Sequence, residues 1–164
     1  MGVVTQSSEF IVHDRPVWRD HADFVIAAAL GEQDLPWRYE QLWARQAGPD
    51  LFELCCIPWF LYDVALGDVV ATTRSGDRRY VVSKVVQQSG RYVFRASFRG
   101  RRITPVAREQ VLGALTALGA VLESRSATLV GIDCANLAHA QEVADYLQAQ
   151  QHEELLECET GRTA

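Results

Sequence analysis

The amino-acid sequence predicts an α+β protein: a small β-barrel or strongly bent antiparallel sheet, followed by a ferredoxin-like βαββαβ unit. Three observations carry this. Short apolar runs separated by Gly, Pro and Asp turn signals fill residues 17–98, the pattern of a small barrel. From Gly100 the apolar period becomes helical, and helices then alternate with strands to the end of the chain. The 164 residues are 48% hydrophobic and 23% charged, which is globular usage, enough for one domain or two tightly packed half-size ones.

Residues 1–16 are polar and aperiodic, ending in His13-Asp14-Arg15-Pro16, and read as a loose tail with His13 in solvent. The barrel-like part spans 17–90. Phe24–Ala29 is an apolar run stopped by Gly31, and 31–38 is a loop carrying Pro36 and Trp37. Tyr39–Arg45 and Leu51–Ile57 are strands joined through Gly48-Pro49-Asp50, a hairpin connection. Pro58 forbids further ladder bonding, so Trp59-Phe60-Leu61-Tyr62 is an aromatic corner leading to a strand over Leu66–Thr72. Arg79–Gln87 and Arg91–Phe98 form another hairpin about Gln88-Ser89-Gly90.

The α/β part spans 91–161, so Arg91–Phe98 pairs back to the barrel hairpin and also opens the second unit. Thr104 suits a helix N-cap and Pro105 the first helical position. Val111, Leu112, Leu115 and Leu118 then make one apolar stripe before Gly119. Strands over Ala120–Arg125 and Ala127–Ile132, a helix from Asn136 to about Gln151, and a strand over Leu155–Thr160 complete the unit. No Pro/Gly/Ser-rich linker separates the two parts, so a continuous sheet or a rigid seam joins them.

Several dispersed blocks carry a resemblance: Val17-Trp18-Arg19-Asp20, Leu42-Trp43-Ala44-Arg45, Phe52–Pro58, Tyr62–Val70, Ser89–Arg95 and Glu159-Thr160-Gly161. Over roughly residues 17–161 the chain resembles the bacterial family called domain of unknown function 4265. That resemblance implies a small stand-alone bacterial protein and brings no mechanism with it.

Composition excludes several classes. No apolar stretch approaches the length of a membrane span and the first ten residues lack a secretory pattern, so a cytoplasmic protein with no membrane partner is expected. The cysteines at 55, 56, 134 and 158 are too sparse for a disulfide framework and lack zinc spacing, so reduced thiols, no metal and no cofactor are expected.

The net charge of −5 hides three blocks. Residues 1–73 carry 4 basic and 11 acidic groups, 74–108 carry 10 basic groups and Asp77, and 109–164 carry 2 basic and 9 acidic groups. The blocks therefore carry −7, +9 and −7, and they can either neutralise one another on folding or leave the basic one for a partner.

Alternation along Arg91–Arg99 puts Tyr92, Phe94 and Phe98 on one face and Arg91, Arg95 and Arg99 on the other. With Arg74, Arg78 and Arg79 on the neighbouring hairpin, and Trp59 and Tyr62 at the corner, these arginines are the ligand-binding candidates, because guanidinium forks hold carboxylate or phosphate. The aromatic face lacks an RNA-recognition signature and the chain is acidic, so nucleic acid is not the expected partner.

The catalytic candidates are Cys134, where a strand exit meets a helix N-terminus that would favour thiolate, His139 as its base and Asp133 as orienter. On that reading Cys134 is the thiol to react first. The same residues also serve as turn and cap formers. Cys55-Cys56 reads as buried, and Glu53, Asp63 and Asp68 near the aromatic corner as turn or acid/base carboxylates.

Two functions follow. One is a non-catalytic intracellular binding protein, accessory or immunity-type, engaging an acidic peptide, protein or small anion. The other is a small enzyme using Cys134, His139 and Asp133 on a small molecule or peptide.

Overall fold

The computed structural model describes residues 9–162. Its first half is a closed barrel of five strands: β2 (Phe24–Ala29), β3 (Tyr39–Gly48), β4 (Leu51–Leu54), β5 (Val69–Ser75) and β6 (Arg78–Gln87), preceded by a short β1 (Phe10–Ile11). Successive barrel strands are antiparallel, and an odd number of alternating strands can close only with a parallel pair. That pair is β2 with β6, at Ala27 opposite Val81.

The bend comes from β3, which pairs with β2 along its first half and with β4 along its second, with a bulge between Gln46 and Gly48. Alternate side chains fill the interior, including Ile26, Ala28, Leu42, Ala44, Phe52, Leu54 and Val70. The same period of two carries Glu40 inward, where it is fully buried.

The second half runs β7 (Tyr92–Ser97), α1 (Pro105–Ala117), β8 (Val121–Ser124), β9 (Leu129–Cys134), α2 (Leu137–His152), β10 (Glu157–Thr160). Its sheet has the order β10-β7-β9-β8, antiparallel throughout. Both helices start where capping chemistry predicts. Thr104 Oγ1 accepts from the Ala107 N–H (3.1 Å) and Asn136 Oδ1 from the His139 N–H (2.9 Å). Val111, Leu115, Ala140, Val143 and Leu147 pack on Ala96, Val130, Ile132 and Cys134, a core lying between the helices and one sheet face.

The other face of that sheet presents Val93, Arg95, Gly131 and Asp133, and it packs on the segment after β4. Ile57, Ala65, Leu66 and Val93 form the apolar part of this seam, flanked by Val17 and Trp18. Ile57 lies so close to Gly131 that a Cβ there would sit 2.8 Å from its Cγ2.

Two strand expectations are corrected. The β4 ladder ends at Leu54, short of Ile57, because the Ile57 N–H is taken by Glu123 Oε2 (2.7 Å) from the other half. Arg79–Gln87 and Arg91–Phe98 are not a hairpin: β7 pairs with β9 and β10. Asp68 Oδ1 accepts the Ser89 N–H (2.7 Å), Ser89 Oγ donates to the Leu66 carbonyl (2.8 Å), and Gly90 at φ +82° turns the chain to the second sheet.

His13, expected in solvent, is 2% exposed. Of the segment read as a loose tail, residues 1–8 lie outside the described residues. Within the rest, β1 adds to β3 in parallel and Ile11 is buried with Leu30 and Trp59.

Candidate functional site

The thiol constellation does not assemble. Cys134 closes β9 with its side chain fully buried in the helix-side core, and burial, with Asp133 adding to it, pushes its thiol up to about 12. His139 is spent on local structure. Its Nδ1 accepts the Ala135 N–H (3.0 Å), which leaves Nε2 as the N–H that donates to the Leu118 carbonyl (2.8 Å). No lone pair remains to take a proton from a thiol.

Asp133 faces the opposite side of β9 and accepts from Arg91 Nε (3.0 and 3.1 Å) and a terminal guanidinium nitrogen. Burial raises its carboxyl and the Arg91 pair opposes the rise. Cys55 and Cys56 are both fully buried, with thiols raised by burial to about 11 for Cys55 and well above normal for Cys56.

The basic strand face is divided among three fates. Arg91 is neutralised by Asp133 and lies over Trp18. Arg95, 2% exposed, points into the seam, where it donates to the Pro58 and Leu61 carbonyls, pairs with Glu159 (3.2 Å) and lies over Tyr62. The Tyr62 hydroxyl closes this surface triangle by donating to Glu159 (3.0 Å). Arg99 is exposed beyond the strand. Arg91 and Arg95 thus pair with Asp133 of β9 and Glu159 of β10, the neutralisation the charge blocks allowed.

Of the carboxylates near the aromatic corner, Asp68 is a turn-former as read, accepting the Ala65 and Ser89 N–H groups. Glu53 pairs with Arg45 at the surface, and Asp63 adopts φ +61° beside Gly161, whose carbonyl takes its N–H.

Two arrangements were not read from sequence. In the first, His13 is wedged between Glu40 of β3 and Glu123 of β8, each ring nitrogen 2.8 Å from a carboxylate oxygen. The imidazole stacks on the Trp59 indole with centroids 3.7 Å apart and planes 9° from parallel. Burial alone would depress its pKa, but the hydrogen bonds and charges of Glu123 and Glu40 outweigh that and push it up to about 9. The available signal was Glu40, a carboxylate in phase with Leu42 and Ala44.

The second is the barrel rim where the β5–β6 hairpin meets the start of β3. Glu9 pairs with both Arg38 (3.0 Å) and Arg78. The Arg78 guanidinium lies over Phe10 (4.2 Å) and Tyr39 (4.5 Å), rings that themselves stack. Beside them Arg74 and Arg79 are exposed, and among the described residues neither pairs with a carboxylate. The hairpin and the start of β3 thus carry four arginines, Arg38, Arg74, Arg78 and Arg79, with two acids, Asp77 on the hairpin and Glu9 on the segment beside it.

Among the described residues, no cluster of three or more His, Cys, Asp or Glu side chains is placed to hold a metal ion, and no helix is long and apolar enough to cross a membrane. No curated protein matches the chain. The fold is similar to that of a hypothetical protein from Neisseria gonorrhoeae solved by crystallography, with TM-score 0.67 and 17% identity, over 85% of this chain and 94% of that one. The profile of the family described as Domain of unknown function (DUF4265) matches residues 40–158, and the chain belongs to that family.

Proposed function

We propose that the protein is a small non-catalytic binding protein whose barrel rim engages an acidic peptide, an acidic protein surface or a small anion. The observation that carries this reading is the excess of cations at the rim. Among the described residues Arg74 and Arg79 have no carboxylate partner, while Arg38 and Arg78 share Glu9 and are held in place by Tyr39 and Phe10. A guanidinium pre-positioned by ring stacking loses less freedom on meeting a carboxylate than a loose one does. The buried ionisable groups, by contrast, are engaged with one another, which favours binding over catalysis.

The second half is read here as a ferredoxin-like unit, a reading supported by its βαββαβ order and its β10-β7-β9-β8 sheet. An α/β half fused to a barrel suits an accessory or immunity-type protein of the bacterial cytoplasm.

Binding of a fluorescein-labelled hexaglutamate peptide, followed by anisotropy, tests the proposal. Arg74→Glu with Arg79→Glu should weaken binding by about tenfold or more, and affinity should fall with salt as the Debye length shrinks. Arg99→Glu with Arg102→Glu, outside the rim, should leave it within about twofold. Equal losses in both double variants, or none in either, contradict the proposal.

A further inference from the structure

We propose that the pocket walled by Glu40, Trp59 and Glu123 is a binding site for a flat imidazolium-type cation that donates two N–H bonds, and that in this chain the site is occupied by its own His13. The pocket walls share no residue with the rim, although the segment that brings His13 in also carries Glu9 and Phe10, which the rim arginines contact.

Its two carboxylates are oriented by backbone groups. Glu40 accepts the Trp59 N–H (2.7 Å) and the Phe60 N–H (3.0 Å), and Glu123 accepts the Ile57 N–H (2.7 Å). The Trp59 plate is fixed as well, its indole N–H donating to the Glu123 carbonyl (3.2 Å). These bonds do not involve His13, so they orient the walls independently of the imidazole.

What the walls select follows from charge and shape. Two carboxylate oxygens stand 2.8 Å from opposite edges of one ring, and while both carboxylates are ionised both ring nitrogens must carry a proton, which only the cation does. The stacking distance and near-parallel planes admit a flat ring. A neutral isostere fits the same space but leaves two buried carboxylates without compensating charge.

The occupant arrives on a slender strap. Residues 9–13 hold β3 through the two-residue β1, Ile11 fills an apolar notch, and the Trp43 indole N–H donates to the His13 carbonyl (3.0 Å). Asp14 and Arg15, which join the strap to the body, are exposed. Alternate side chains filling pockets while the backbone adds to a sheet is a peptide-recognition mode, here satisfied within one chain. An external ligand of this class would have to displace residues 9–13.

The test is chemical complementation of full-length His13→Gly by imidazole, cationic at about pH 6, against pyrazole, which has the same shape but is neutral there. Imidazole at about five times its Kd should raise Tm by roughly 2–4 °C, and pyrazole at the same concentration should not. If the variant does not fold unaided, it is refolded with each compound, and imidazole alone should restore soluble protein. Equal effects of the two, or no effect of imidazole in either format, overturn the proposal.

Discussion

Raising the pH should weaken the fold through His13, and the size of the effect can be worked from its surroundings. The imidazole is raised from 6.5 to about 9 in the folded protein. A group bound more tightly to its proton in the folded state stabilises that state fully below the unfolded value of 6.5, decreasingly between 6.5 and 9, and not at all above. At about 1.36 kcal/mol per pKa unit the full contribution is about 3 kcal/mol, a large share of a typical domain's stability. Cys56, whose pKa also responds to Glu40 and Glu123, is held neutral through this window by its burial. Urea unfolding from about pH 6 to pH 10, on the wild type and on His13→Gln, isolates the term, since other titrating groups are common to both. The stability difference between them should shrink by about 3 kcal/mol across the window. A difference that stays flat refutes the clamped imidazolium.

Leu115→Ala should cost about 2–5 kcal/mol in urea unfolding, because Leu115 is fully buried between α1 and the sheet; a loss below about 0.5 kcal/mol would deny it that place. Gly131→Ala should cost about 1–3 kcal/mol by driving a methyl into Ile57 across the seam, and Ile57→Ala in the same chain should recover part of the loss if that contact is the cause. Cys158, half-buried, should react with a thiol reagent before the fully buried Cys55, Cys56 and Cys134, as judged by peptide mapping, and labelling led by Cys134 would restore the thiol-enzyme reading.

Elements whose causes are local were legible in the sequence. Phe24–Ala29 is a strand with the bounds its apolar run implies, and Thr104-Pro105 and Asn136 start the two helices through bonds made within a single turn. Alternation along β7 was legible too, and it placed Arg95 opposite the helix-facing side chains. The identity of what lies against that second face was not. It is the Pro58–Tyr62 corner, not solvent, so Arg95 became a tie between halves.

His13 was misread for the same reason carried further. Its partners are 27 and 110 residues away, and nothing in a polar, aperiodic segment announces a bond to them. For Cys134 the strand exit was legible and the inward direction of its side chain was not, which is why a catalytic arrangement in one dimension became a core residue in three. On the Arg74–Arg79 hairpin, also singled out for its cations in the sequence, Arg78 pairs with Glu9, and among the described residues Arg74 and Arg79 have no carboxylate partner.

The most direct measurement of the binding reading is a titration of isotopically labelled protein with hexaglutamate, followed by amide chemical shifts. Saturable shifts confined to the rim, around Arg38, Tyr39 and Arg74–Tyr80, are expected, and they should disappear in the Arg74→Glu, Arg79→Glu variant. Shifts centred on residues 99–103, or a linear drift spread over the whole surface, would contradict it.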